Sequence, residues 1–595
     1  MPSVPSATGG FRVAWTDTRP YAAVLLALLV AWSVGLFTRG FWSPDEPREA
    51  NVSWRMSSQQ QQAIPILAGA PIVEKPPLAY WLSGASIRAF GPGPVPTRLP
   101  NLAYALLATV LTGALARRLF GPAAVVPAIA FGGTFAMAFQ VAIWLTTDAP
   151  LVASVALALL GAAQGVQAAT PRARLAGYGL FHLGLAFAFL AKGPAGWMVP
   201  VLTLGGFLLA ERRFGEFVRP ELWAGALVPV AAVAAWTWSA MQVPGGAELL
   251  KITYWYNLVG RAIPLDVPPE VDYSSGHANW PGKYWVELPT YVYPWIGVLL
   301  AALVRTWRER GQVDAATRAG RRFALASCLL PLALMSVAST ARGVYAAQAL
   351  PGFALLFADW AVRQRQPDAA ARRALRAAVV LVVLLGLVLG AAWFLAAPNA
   401  GGAAATPPVL AVALAGAGAA AVWLGAAWRR APLVPAERTV ALVAVAMCAV
   451  LAGPGYAAFA ALAPAQDFAT LGARVRAAAG GGRIVLYRPD ETTRAFVDSY
   501  AQRDPVVVEA SDPAVARARL RAALAAHPGA RVLARLPGGE PGAVARRLGH
   551  RAAVPEPLAK DPGLVQAFDE AGLVLVAELG LPDGRRYGLA ARRGE

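Results

Sequence analysis

Apolar runs dominate this chain, and their spacing predicts a stack of membrane helices. Tyr21–Thr38 is the first. Others follow near residues 97–116, 122–144, 149–168, 175–191, 195–210, 222–243, 286–304, 323–338, 344–362, 377–397, 407–427 and 439–462. Each is close to the ~20 apolar residues that cross a ~30 Å hydrocarbon core, so about thirteen spans are expected. No small-residue cleavage pattern follows the first run, which reads as an uncleaved helix. From residue 465 the pattern changes. Ile484–Tyr487, Val506–Glu509, Val532–Ala534 and Leu573–Glu578 read as short strands, alternating with Ala- and Arg-rich helical stretches such as Ala514–Ala526. The expected fold class is a polytopic α-helical membrane protein over residues 1–464, with a small soluble α/β domain over 465–595.

The polar positions between the runs are unevenly signed. Arg117/Arg118, Arg172/Arg174, Arg212/Arg213/Arg219, the cluster Arg305–Arg322, Arg363–Arg376 and Arg429/Arg430/Arg438 fall in alternate loops. Arginine-rich loops stay on the cytoplasmic side. With Arg12 and Arg19 ahead of the first run, the N-terminus is expected in the cytoplasm. An odd number of spans then puts 465–595 outside. Composition agrees, with 57% hydrophobic and 15% charged residues and a mean hydropathy of +0.48; soluble domains carry about 25% charged residues. The net charge of +19 is nearly all arginine, because lysine occurs only at Lys75, Lys192, Lys251, Lys283 and Lys560. These arginines read as topology signals, and no nucleic-acid partner is expected. Cys328 and Cys448 fall in predicted spans and read as small core residues.

On this topology two outer segments are long, residues 41–96 and 245–285. The first opens as FWSPDEPREANVSWRM and ends in VEKPP. Pro44, Pro47, Pro76 and Pro77 bias its acidic cluster and its lysine toward turns rather than long helix. Asp45, Glu46, Glu74, Lys75, Asp148, Lys192, Arg261, His277, Arg342 and Tyr345 would all lie at the outer membrane–water boundary. Ionisable groups at that depth are costly and point to function. Any one could be a snorkelling charge or half of a pair such as Glu74 with Lys75 or Asp148 with Lys192. That explanation is poor for the whole set on one face. A carboxylate beside a polar acceptor can serve as general base. Lysine, arginine and tyrosine converging on one point suit a phosphate leaving group. Carboxylates with His277 could also hold a divalent metal, although no close ligand spacing supports it. Grooves between aliphatic helices suit a lipid tail, so membrane lipids are expected partners.

The motifs SPDEPREANVSWRM, PILAGAPIVEKPPLAYWLSGASIRAFGPGPVPTRLP, WLTTDAP, FLAKGPAG, YNLVGRA and STARGVYAAQALPG resemble the GT-C glycosyltransferases that use polyprenyl-phosphate sugars. The likeness is to the lipid A 4-amino-4-deoxy-L-arabinose transferases and their protein O-mannosyltransferase relatives. It implies a GT-C fold, with an undecaprenyl-phosphate sugar as donor and a lipid A-like glycolipid as acceptor. A protein hydroxyl or cell-envelope glycan is the alternative acceptor. Carried over, Asp45, Glu46 and Asp148 would be the catalytic carboxylates, with Asp45 activating or orienting the acceptor. Lys75, Arg261, Arg342 and Tyr345 would bind the donor phosphate. Glu74, Lys192 and His277 would shape the site, and Glu74 with His277 would be the candidate ligands of a divalent metal ion, the one cofactor left open. The sequence departs from the pattern at Asn257, where many relatives carry histidine, and at STARG, which replaces a lysine-bearing Ser-Lys pattern. Two other classes compete: a transporter or flippase of lipid-linked sugars, and a non-catalytic assembly protein. No internal repeat is visible and the charges lie at one membrane edge, which favours the enzyme over the transporter.

Overall fold

The structure is a computed structural model describing residues 19–72, 74–259, 279–338, 342–397, 406–430, 434–510, 512–537 and 562–594. Eight helices build the first third: α1 (Arg19–Phe37), α2 (Glu46–Ser58), α3 (Leu78–Phe90), α4 (Pro94–Phe120), α5 (Val125–Thr134), α6 (Ala136–Ile143), α7 (Asp148–Val166) and α8 (Pro171–Lys192). Long helices then follow at Ala315–Val337, Leu350–Val362, Ala369–Ala396, Pro407–Arg430 and Ala436–Val450.

Every apolar run predicted above falls on helix. By length and composition, eight described helices can cross a membrane, or up to ten when two bent pairs each count as one span. The expected count of about thirteen shrinks for a geometric reason. Pro171–Ala210 joins two predicted spans in one 40-residue stretch, α1 is short, and α5–α6 is bent by 66°. Lys283–Tyr291 and Ile296–Arg308 meet at 116°.

Helices α7 and α8 form a tight antiparallel hairpin. A methyl group added at Gly161 or Gly177 would collide with the backbone of the facing helix. Small residues at the crossing let two membrane helices approach this closely. The hairpin brings the start of α7 beside the end of α8, and so Asp148 beside Lys192. Cys328 and Cys448 are buried and unbridged.

Two short strands, β1 (Ile66–Leu67) and β2 (Ala70–Pro71), form a ribbon ahead of Lys75. Beyond the helices, β3 (Ile484–Tyr487), β4 (Val506–Val508), β5 (Arg531–Leu536), β6 (Leu573–Gly580) and β7 (Arg586–Arg592) form one sheet in the order β4-β3-β5-β7-β6. The first three strands are parallel, and β7 runs antiparallel between β5 and β6. Alternate residues face opposite sides. Val485 and Val532 pack with Leu520 and Leu524, whereas Ile484, Leu486 and Leu589 pack with Phe468 and Val475. Strand β7 was not expected: RYGLAAR carries Gly and Ala where strands favour branched or aromatic residues. Its burial between two neighbours, with its central five residues buried, supplies what propensity does not.

Candidate active site

Helix α2 is the scaffold of the site, and it is where the sequence reading of turns fails. Pro47 lies in the first turn, where a missing N–H leaves no hydrogen bond unmade. Glu46 and Glu49 sit in the same turn, favourably placed for the helix dipole. The helix nevertheless buries Glu46, Arg48, Glu49, Asn51, Ser53 and Arg55. Buried charge persists only when paired, so each partner is informative.

Asp45 occupies the N-cap position but makes no capping bond. Its carboxylate instead accepts a 2.6 Å hydrogen bond from Arg342 Nη2, and Arg48 lies 3.5 Å away. Burial works to raise the Asp45 pKa, but the hydrogen bond and charge of Arg342, with Arg48 and Lys75, hold it below the ordinary aspartate value. Asp45 is therefore an anion near neutral pH.

One turn on, Glu49 joins three groups. Its Oε1 accepts from Lys75 Nζ at 3.0 Å and from Arg48 Nη2 at 2.8 Å, and its Oε2 accepts from Tyr80 Oη at 2.8 Å. Burial opposes its charge, yet Lys75, Arg48 and the Tyr80 hydroxyl bring its pKa down to about 2. Glu74 lies 3.6 Å from Arg48 and 3.9 Å from Lys75. Across the hairpin, Lys192 donates to Asp148 and stands 4.6 Å from the centre of the Tyr345 ring, a cation–π contact. Asp148 at a helix start and Lys192 at a helix end each sit at the favourable pole of their helix.

These side chains line a cavity of about 1620 Å³, which holds Asp45, Glu74, Lys75, Asp148, Lys192, Arg342 and Tyr345. A smaller cavity of about 450 Å³, walled by Met137, Gln140, Val141 and Trp144, shares Asp45 and Arg342 with it. The Asp45–Arg342 pair thus stands where the two meet.

Glu46 is placed apart from this set. It is fully buried and does not border the large cavity. Arg39 pairs with it, Arg98 donates to both of its oxygens at 2.9 Å, and the backbone N–H groups of Trp42 and Leu145 donate at 2.8 and 3.0 Å. The expectation of a catalytic carboxylate at Glu46 gives way to a buried strut between α1, α2, α4 and the turn before α7. Arg261 and His277 lie outside the described residues. Glu74 faces Arg48 and Lys75, two cations, so its surroundings do not fit a metal ligand. Among the described residues no three His, Cys, Asp or Glu side chains are grouped to hold an ion.

The sequence reading left Arg48, Glu49 and Tyr80 without a site role, and missed the far wall altogether. Arg488, Glu491, Arg494 and Arg535 of the sheet unit border the same cavity. Arg48 Nη1 donates to Glu491 at 2.7 Å, Arg55 binds Asp498 and Asp504, and Asn51 donates to Asp498 at 2.7 Å. Trp54 meets Tyr500 edge-on, with centroids 5.4 Å apart. The sheet unit is clamped to the flank of α2 that carries Arg48, Asn51 and Arg55.

A helical membrane stack with charged groups gathered at one end, roofed by a small mixed sheet, is the GT-C architecture. The crystal structure of ArnT from Cupriavidus metallidurans bound to undecaprenyl phosphate has the same fold, with a TM-score of 0.67 over 96% of this chain and 98% of that one at 17% identity. Residues 74–238 match the family described as dolichyl-phosphate-mannose-protein mannosyltransferase. The chain is also similar to the undecaprenyl phosphate-alpha-4-amino-4-deoxy-L-arabinose arabinosyl transferase of Pseudomonas paraeruginosa, 28% identical over 359 residues covering 59% of this chain and 62% of that protein. The enzyme of the same name from Aeromonas salmonicida is 28% identical over 349 residues, 56% of this chain and 58% of its own. The chain spans about six tenths of the length of these curated relatives. It is a multi-span GT-C-fold membrane protein whose sequence likeness is to the aminoarabinose transferases.

Proposed function

We propose that this chain is an inverting glycosyltransferase of the bacterial inner membrane. It moves a sugar from undecaprenyl phosphate to a lipid A-like glycolipid at the periplasmic face. Residues 1–464 form the membrane domain, with outer loops 41–96 and 245–285, and 465–595 form a periplasmic domain. The N-terminus is cytoplasmic. The observation that carries the reading is the Asp45–Arg342 pair at the junction of two cavities, with Lys75 inside the larger. A donor in one cavity and an acceptor in the other would meet across this carboxylate.

In the reaction, an acceptor oxygen attacks the anomeric carbon of the sugar. The bond from that carbon to the phosphate oxygen breaks, and undecaprenyl phosphate leaves. Asp45 takes the proton of an acceptor hydroxyl, or orients an acceptor that is already ionised. Lys75, Arg342 and Tyr345, joined by Arg261, hold the donor phosphate and stabilise the charge that grows on it. Asp148 and Lys192 fix the ring of Tyr345 through the cation–π contact. The match of residues 74–238 to the protein mannosyltransferase family supports a second acceptor, a protein hydroxyl, with the same donor chemistry.

Purified protein in liposomes, given labelled polyprenyl-phosphate sugars and a panel of acceptors, tests the reading. Transfer is expected for the wild type and is lost in Asp45→Asn and Lys75→Ala. Movement of the sugar lipid across the bilayer with no transfer would overturn the enzyme and favour a transporter.

A further inference from the structure

We propose that Glu49 is a positioning residue of the donor-phosphate site, fixing where the Lys75 ammonium stands and which of its protons face the cavity. The inference rests on the reading of Lys75 as a phosphate ligand.

Lysine is a point charge on a flexible four-carbon stem, and alone it has no preferred address. Here the ammonium is held at 3.0 Å by one Glu49 oxygen, and the other oxygen is fixed by the Tyr80 hydroxyl on α3. Arg48 pins the same carboxylate from its own helix. Glu49 borders the cavity but is only 2% exposed, and both of its oxygens are taken, one by Lys75 and Arg48 and the other by Tyr80. It therefore touches no substrate and acts through Lys75. Of the three ammonium protons one goes to Glu49, and among the described residues the other carboxylate near the ammonium is Glu74 at 3.9 Å, which leaves room for an anion in the cavity.

The charges around Lys75 make the test decisive. Glu49 and Arg48 face it from α2, Glu74 from its own turn, and Asp45 from the head of α2. Arg342 and Glu491 close the cluster through Asp45 and Arg48. If Glu49 acted only as one more negative charge, neutralising it would tighten the binding of an anion. If it positions Lys75, neutralising it weakens that binding. The two roles predict opposite signs. Burial opposes the Lys75 charge, and the Glu49 carboxylate contributes most to keeping its pKa above the ordinary lysine value. Without that carboxylate, burial and Arg48 both disfavour the ammonium, so binding is lost at lower pH as the solution is made alkaline.

The experiment measures binding of undecaprenyl phosphate to the full chain in lipid nanodiscs across a pH series. Wild type, Glu49→Gln, Glu49→Asp, Tyr80→Phe and Lys75→Ala are compared. Glu49→Gln should bind roughly tenfold more weakly at neutral pH, the loss expected when a charged hydrogen bond goes. Its alkaline limb should move to lower pH. Glu49→Asp keeps the charge and should recover the alkaline limb while remaining weaker than wild type. Tyr80→Phe should weaken binding less than Glu49→Gln. Glu49→Gln binding as tightly as wild type, or more tightly, while Lys75→Ala binds poorly, would overturn the inference. If Glu49→Gln does not fold, wild-type binding by Glu49→Asp would overturn it instead. Undiminished binding by Lys75→Ala would instead remove the phosphate role of Lys75 itself.

Discussion

Replacing Glu46 by glutamine keeps the shape of the side chain and removes its charge at the most enclosed point near the site. Two guanidinium groups and two backbone N–H groups converge on this carboxylate, and Glu46 and Arg98 are fully buried. Glutamine offers one acceptor oxygen and turns an NH₂ group toward donors. Breaking a buried ion pair from one side costs about 3–5 kcal/mol, because the opposite charge stays behind. For a chain of this size that lowers an apparent melting temperature by roughly 2–4 °C. Burial raises the Glu46 pKa, while Arg98 and Arg39 override it and hold the carboxyl below its ordinary value. Its contribution is therefore present above the unfolded pKa and disappears as pH falls through the lower folded value. Wild type should lose melting temperature between neutral and acidic pH, and Glu46→Gln should lose less, having already lost the term. Thermal melts of purified protein read by size-exclusion chromatography, at pH 7 and pH 4, measure both quantities. A Glu46→Gln protein that melts like wild type and yet transfers no sugar would refute the strut and return Glu46 to the chemistry.

Three further outcomes follow from the same contacts. Arg342→Ala removes the partner that keeps Asp45 ionised against burial, so the acidic limb of turnover should move to higher pH; an unmoved limb in a pH–rate profile would deny that Asp45 titrates in the reaction. Arg55→Ala leaves Asp498 buried with Asn51 and one backbone N–H as its remaining partners; a cost of about 2–4 kcal/mol should appear as earlier proteolytic release of residues 465–595 on warming, with intact membrane helices. A double-mutant cycle of Asp148→Asn and Lys192→Met should give a coupling of roughly 1–3 kcal/mol in stability, and additive single effects would show the pair to be idle.

The membrane half of this fold was legible because its signal is local. A run of ~20 apolar residues needs no partner to be recognised, and Asp148 and Lys192 announced themselves as charges at the ends of such runs. The C-terminal strands were found where valine and isoleucine alternate or cluster, and β7 was hidden by its Gly and Ala. At α2 the prolines were read as breakers, but Pro47 at the start of a helix breaks nothing. Once that helix exists, neighbours in sequence separate: successive residues point about 100° apart. Asp45 therefore looks into the cavity while Glu46 turns toward Arg39 and Arg98. The contacts of Arg48 with Glu491 and of Arg55 with Asp498 join positions 443 residues apart. No periodicity or spacing carries that information, which arises only when the sheet unit packs on α2.

The clamp on α2 also imposes an order on the making of the protein. A chain emerging from the ribosome places Asp45, Lys75 and Asp148 early, hundreds of residues before Glu491 and Asp498 exist. During that interval Arg48 and Arg55 lack the carboxylates that later hold them. The pocket is therefore finished from its far wall, after its membrane helices have been synthesised. A ribosome that stops short of residue 491 would release a product with its helices but an open, unbalanced site.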